Sequence, residues 1–585
     1  MITPMIHATL ICREEDVSNL LTSLRDFAGL HLKLTPQENQ GVDDRSEELK
    51  GIRKLIQKLE LIPDVVDQDF EGDAEAMLAH CQHLFEVVER AKAVDRKLIH
   101  EEHSWAPFGN VHLETLAALK QQNVNVAFFR AAVSPVDIPE GCIWLTADPG
   151  FGVAVSLNDL SQIETPALDM PRRGLRRIAV LRQHVKRILE NAEKELATAA
   201  GQLSHLQEFA DQKADELDFL KAEAGMAGSE SLAWIEGFVP AKDLPELEAK
   251  AALWGAALHS REPELEDPTP TLLKQSNFVS WIQPVFSFLG VTPGYNEVDV
   301  GWSFLIFLSI FSGMIIGDAG YGLVLILMVL GLNLTKPGTR GKFANLLYLM
   351  GGATVIWGLL TGNFFGTLDI PAVFPSLSPT EDPKATMNVC FLMGAGHLTL
   401  AHLWNLWNKR KSLQALAEIG WIGSTWTMYC VTGKMVLGWE KIPDFTTPLF
   451  WGSMALIIIF MTPPKAFKDQ WVDHMMLPLS FVNNFVDVVS YVRLYAVGMA
   501  TYALASSFNS MILGGNAERG VIASGVMMIV LILGHGLNFI LAGMGVLVHG
   551  IRLNTLEFSS HLGLTWSGIP YAPFQRRNPK SEIEG

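Results

Sequence analysis

Apolar residues in this chain follow three spacings, each dominating a different stretch. Alternating runs at 6–12, 124–133, 142–157 and 232–239 read as strands. Between them a three-and-four spacing predicts long helices. Leu84, Val88, Ala91 and Leu98 lie on one that starts near Gly72, and Ile178, Leu181, Val185, Ile188 and Ala192 on another. The second series then shifts by four to Leu196, Ala199, Leu203, Leu206, Ala210, Leu217 and Leu220, a stutter that locally unwinds a coiled coil. Shorter helices are expected at 14–27 and 244–258. Residues 1–270 therefore read as α/β lobes carrying a long antiparallel coiled-coil pair, closed by a Pro-rich run at 263–270 and a linker at 271–301.

Past residue 301 the apolar runs lengthen, to 302–332, 343–366, 387–407, 415–437, 448–462, 475–513 and 520–551. The first is too long for one upright span of about twenty residues and short for two. Its middle, Gly317-Asp-Ala-Gly-Tyr-Gly322, favours a reversal, with Asp318 capping the glycine-rich backbone. Loop charge settles the count. With two spans there, Lys336, Arg340, Lys342, Lys409, Arg410, Lys411, Lys465, Lys468, Arg576, Arg577 and Lys580 share one side, and Asp369, Glu381 and Asp382 face the other, as the positive-inside rule requires. The expected fold class is an α-helical polytopic membrane domain of eight transmembrane helices over 302–575. An α/β cytosolic domain precedes it and a cytosolic tail, 576–585, follows. The 475–513 run holds 39 residues, roughly 58 Å at 1.5 Å per residue, and the 520–551 run 32, roughly 48 Å, against about 30 Å of hydrocarbon. They must tilt steeply, kink or extend past the bilayer.

Charge divides at the same place. Residues 1–300 hold 28 Lys and Arg against 48 Asp and Glu, and the remainder 17 against 14, so the acidity belongs to the first part. That part has no span-length apolar run and opens on no signal pattern, which places it in the cytosol. Its acidity argues against nucleic acid or anionic lipid as main partner and for protein contacts. Cys12, Cys81, Cys142, Cys390 and Cys430 form no CxxC pair, and the histidines, His397 and His402 included, lack ligand spacing, so no metal or other cofactor is expected. Without a GxxxxGK[ST] or GxGxxG loop, no nucleotide site is expected either.

Arg493 stands out against this background. It lies mid-way along the 475–513 run, where an arginine that cannot shed its proton costs roughly 2.5–3.5 kcal/mol on insertion scales. Asn483, Asn484, Asp487, Ser490 and Tyr491 precede it on the same run. On an ideal helix Asp487 faces away from Arg493, so the two are not expected to pair. The final run and the residues just past it carry His535, Asn538, His549, Arg552 and Glu557, with His549 and Arg552 on one helical face and Glu557 beside it.

At these residues the chain resembles the membrane-embedded stator subunit of V-type and archaeal-type rotary ATPases, subunit a, or subunit I in prokaryotes. The ordered blocks are Trp234-Ile-Glu-Gly-Phe-Val-Pro240, Pro268-Thr-Pro-Thr-Leu-Leu-Lys274, Tyr295-Asn-Glu-Val-Asp299, Gly317-Asp-Ala-Gly-Tyr-Gly322, Ser490-Tyr-Val-Arg-Leu-Tyr-Ala496 and His549-Gly-Ile-Arg-Leu-Asn-Thr-Leu-Glu-Phe558. The resemblance implies a multi-pass prokaryotic plasma-membrane protein. It would form two offset half-channels against a rotor c ring and couple proton or sodium flow to ATP chemistry on other V/A-ATPase subunits. Membrane lipid and E/G-type peripheral stalk subunits would be its further partners. Arg493 matches the family's essential arginine and Arg552 its second arginine, with His549 and Glu557 in the latter's motif. Arg493's counter-charge would then be a rotor carboxylate, supplied site after site by another polypeptide. Thr501 and Ala542 depart from vacuolar relatives, which have a histidine and an acid there, leaving the outer half-channel open. The alternative, a secondary transporter, predicts internal repeats that the two sets of four runs do not show.

Overall fold

A computed structural model describes residues 2–34, 39–62, 73–109, 111–130, 142–148, 151–157, 167–168, 173–229, 231–335, 338, 340–366, 373–374, 377, 382–462, 471–513 and 521–577. Lys336, Asp369, Glu381, Lys465, Lys468 and Lys580, and the strand continuation at 131–133, lie outside these residues. The chain forms two compact units, Pro36–Gly225 and the combination of Met1–Thr35 with Met226–Gly585.

The Pro36–Gly225 unit is built on helices Gln40–Glu60, Ala74–Trp105, Leu175–Ala200 and Leu203–Ala224. Leu84, Val88, Ala91 and Leu98 are buried as their spacing requires, as are Ile178, Val185 and Ala192. Arg182 bonds Asp95 at 3.0 Å and Glu102 at 2.6 Å, while His80 meets Glu195 at 2.9 Å. As one partner number falls the other rises, so the two helices are antiparallel. The expected stutter at 192–196 is not where regularity fails. The helix runs through to Ala200 and breaks at Gly201 and Gln202, whose N–H groups bond only three residues back, to Thr198 and Ala199. Strands Asn125–Arg130, Cys142–Asp148 and Phe151–Ser156 make an antiparallel sheet with the last in the centre.

In the other unit, strand Met5–Arg13 lies between Leu232–Pro240 and Ala257–Arg261, all antiparallel, with His31–Leu32 at one edge. The helix expected at 244–258 ends at Leu253, and the chain turns at Gly255 into the Ala257–Arg261 strand. The 271–301 stretch is tied down at several points. Pro270–Thr271 pairs with Ile569–Pro570, helix Gln283–Leu289 follows, and the Tyr295 hydroxyl accepts from the Met5 N–H at 3.0 Å. The C-terminal segment closes the same region, with Tyr571 donating to the Gly29 carbonyl at 2.6 Å and the Phe574 N–H to that of Leu30 at 2.8 Å.

Apolar helices fill the rest. Among the described residues, four are long and apolar enough to cross a membrane: Lys342–Thr361, Pro383–Asn408, Leu477–Met511 and Ser524–Leu562. Gly301–Ile316, Ala319–Thr335 and Thr446–Phe460 are shorter apolar helices, and Ala415–Thr432 is a further helix of this part. The reversal expected within 302–332 is present. Gly317, at φ +65°, ends one helix, and Ala319 begins the next. Asp318 is buried there and caps backbone, accepting at Oδ1 from Gly320, Tyr321 and Phe365 at 2.8, 3.2 and 2.9 Å, and at Oδ2 from Gly366 at 2.9 Å.

Candidate functional site

Arg493 follows a joint between helices Leu477–Ser490 and Val492–Leu513. The Tyr491 and Leu494 N–H groups bond three residues back, to Val488 and Tyr491, which tightens this turn. Ser490 Oγ donates to the Asp487 carbonyl at 2.7 Å, and the fully buried Tyr491 shares a 2.8 Å bond with His397 Nδ1. Phe307 and Phe558 stack on the His397 ring. This packed anchor fixes where the arginine leaves the helix.

Opposite it, the last helix changes winding. Val521–Gly545 is α-helical, but Val546–Gly550 and Leu553–Phe558 are π-helical. Such segments bond i to i+5 and occur frequently at functional sites. Glu557 is five residues past Arg552 and so returns beneath it. Its Oε1 is 3.7 Å from Arg552 Nε and 2.9 Å from Arg493 Nη1. Arg493 thus has a partner within the chain, Glu557, brought into line by π winding that α-helical spacing does not anticipate. One carboxylate against two guanidiniums still leaves a unit of positive charge. The Glu557 side chain is 5% exposed, Arg493 26% and Arg552 53%, so the acid is inside and the surplus charge faces outward.

Two polar networks flank this seam. Toward the start of the Leu477–Ser490 helix, Asp487 Oδ2 lies 3.0 Å from His561 Nε2. His561 Nδ1 lies 2.9 Å from His402 Nε2, His402 Nδ1 is 2.9 Å from Glu418 Oε2, and Lys409 donates to Glu418 Oε1 at 2.6 Å. Toward the end of Val492–Leu513, His535 joins Tyr321 at 2.8 Å and Asn509 at 3.0 Å. Asn538 Nδ2 donates to the Tyr321 hydroxyl and the Thr501 carbonyl at 3.0 and 2.8 Å.

Subunit I of the V-type ATP synthase of Borreliella burgdorferi is 27% identical to this chain, over 98% of it and 100% of the relative. V-type ATP synthase subunit I 1 of Treponema pallidum is 28% identical over 99% and 100%. A-type ATP synthase subunit I of Pyrococcus abyssi is 28% identical over 60% of this chain and 54% of its own. The chain is homologous to subunit I of V-type and A-type ATP synthases. No family profile matches it. The solved cytoplasmic N-terminal domain of subunit I, homolog of subunit a, of V-ATPase aligns over 44% of this chain and all of its own at 12% identity and a TM-score of 0.22.

Among the residues singled out in this subunit I homologue, Arg493, Arg552 and Glu557 meet, with Tyr491 and Ser490 shaping the turn beneath them. Asp487 turns to His561 rather than to Arg493. His549 sits half-buried in the first π segment, and Asn483 is on the exposed side. The buried amide is its neighbour Asn484, bonded to Ser424 and Thr425 at 2.9 and 3.3 Å. His402, Glu418 and His561 were not anticipated as site residues. A usable signal existed, since Glu418 is an acid inside the apolar 415–437 run.

Proposed function

We propose that this chain is the ion-translocating stator of a V/A-type rotary ATPase, with eight membrane crossings, cytosolic ends and two half-channels meeting at Arg493. The observation that carries the reading is the surplus positive charge of the Arg493–Glu557–Arg552 group, opening outward between two overlong helices. A rotor-ring carboxylate arriving from lipid meets that charge, ionises and releases its ion to one half-channel, then reloads from the other. Glu557 holds the arginines in place between visits and keeps the resting charge at one unit. Arg493 bars a direct leak between the two networks. The polar group around Asp487 serves the cytosolic side, and that around Tyr321, His535 and Asn538 the outer side, where Thr501 supplies a carbonyl instead of a titrating side chain. Each charge crossing is worth about 2.3 kcal/mol per 100 mV, which rotation couples to nucleotide chemistry on other subunits. Residues 1–270 act as the tether to E/G-type peripheral stalks, resisting torque through the antiparallel helices.

The test is Arg493→Ala in the assembled complex, reconstituted in vesicles. Coupled ATP-driven ion uptake is expected to vanish while subunit composition stays intact; undiminished uptake refutes the reading.

A further inference from the structure

We infer that Glu418, His402, His561 and Asp487 form a proton wire from the cytosolic face to the Arg493 seam, so that the ion this stator passes is the proton. This rests on the stator reading and deepens it by naming the path and the ion.

The geometry is a continuous relay. Contacts of 2.9, 2.9 and 3.0 Å join Glu418 Oε2 to His402 Nδ1, His402 Nε2 to His561 Nδ1, and His561 Nε2 to Asp487 Oδ2. Each imidazole is entered at one ring nitrogen and left at the other. The groups come from four helical segments, so no single helix's periodicity produces the alignment. Side-chain exposure is 5% for His402, 7% for Glu418 and 9% for His561, then rises to 24% at Asp487, while Lys409 at the opposite end is 45% exposed. The path is dry in its middle and open at both ends.

Counting hydrogens gives the next step. Three hydrogen bonds need three protons, whereas two neutral imidazoles bring two. The wire therefore holds one further proton, and with it Lys409, Glu418, the two histidines and Asp487 sum to zero charge. With that proton on Glu418, transfer is a concerted shift. Glu418 gives its proton to His402 Nδ1, His402 passes its Nε2 proton to His561 Nδ1, and His561 passes its Nε2 proton to Asp487. One proton leaves Glu418, one arrives at Asp487, and only N–H and O–H bonds change; before the next transfer Asp487 releases its proton, Glu418 takes one up, and each imidazole returns from its Nδ1–H to its Nε2–H tautomer. A sodium ion has no comparable route, because it needs oxygen ligands and room, and the ring nitrogens here are engaged with one another. Asn405 Nδ2, donating to the His561 carbonyl at 3.0 Å, and Trp421, stacked along His402, hold the rings in register.

The experiment uses the whole complex in vesicles, following ATP-driven acidification with a pH dye and sodium uptake with a radiotracer. His402→Gln and His561→Gln keep a hydrogen-bonding amide but cannot relay a proton, and each is expected to slow acidification on the order of a hundredfold. Full-rate acidification by both, with Arg493→Ala still inactive, overturns the wire and leaves the stator reading standing. Full-rate transport by Arg493→Ala overturns the stator reading itself. Should the glutamine variants fail to assemble, the unaltered complex decides: sodium-independent acidification with a solvent deuterium isotope effect is expected, and sodium uptake that survives a protonophore overturns the proposal.

Discussion

Asp318 shows what a single side chain can organise. An ionised carboxylate offers two oxygens, about four lone-pair sites and no donor, and here those oxygens take four backbone N–H groups from two different turns. Asp318→Asn replaces one oxygen by a donor facing the N–H of Gly366 or its neighbours. The expected loss is about 1–3 kcal/mol, read as a lower unfolding midpoint of the purified chain in detergent; an unchanged midpoint refutes the capping role. The sequence anticipated this cap because glycines around an acid favour a reversal. It did not anticipate the bonds to Phe365 and Gly366, which are far away in the chain and meet Asp318 only in three dimensions. Arg493 was legible for a different reason, the cost of placing a permanent charge deep in an apolar run. Its partner Glu557 was legible only as an acid near Arg552, because Arg493 and Glu557 lie on different helices, 64 residues apart, and meet only in three dimensions.

At the scale of elements, the arginine helix is seated by close backbone approach. A Cβ built on Gly498 would stand 2.5 Å from the Met314 carbonyl oxygen, on the helix that ends at Gly317. Gly498→Val must therefore push Val492–Leu513 away from Gly301–Ile316, carrying Arg493 with it. A displacement near 1 Å at a reacting group can cost on the order of a hundredfold in rate. Vesicles containing the Gly498→Val complex are expected to lose most coupled transport while ATP hydrolysis in detergent persists; normal transport argues that the seam tolerates such movement. Strand and helix identities were largely readable from periodicity, as at Leu84, Val88, Ala91 and Leu98. The break at Gly201 and Gln202 and the strand after Gly255 were not, since apolar spacing records which face is buried and says little about where a backbone turns.

Across the whole molecule, the sheet around Met5–Arg13 is fastened to the C-terminal segment through Leu30, Gly29 and His31, whose Nδ1 lies 3.0 Å from the Ala572 nitrogen. Burial is the main cause holding His7 below its ordinary 6.5; Arg261 acts in the same direction, against Glu236 and Asp267. Burial likewise lowers His31. Both are then neutral in the fold at a pH where the unfolded chain protonates them, so the stability they contribute is full above about pH 6.5 and is lost as pH falls from there. Hydrogen-exchange protection of Met5–Arg13 and of residues 569–574, corrected for intrinsic rates, should drop on mild acidification, and His7→Leu should flatten the dependence; equal protection at neutral and mildly acidic pH refutes it. The sequence by itself determined the acidic first part, the apolar runs, the reversal at Gly317 and Asp318, and the depth of Arg493 in one of those runs. All of these follow from hydrophobic periodicity and from the cost of charge in an apolar run, which are local properties. Only the tertiary structure decided that Glu557 joins the arginines, that the histidines align from separate helices and that Asn484 rather than Asn483 is inside. Those depend on winding and on which helices pack together, and a linear spacing records neither.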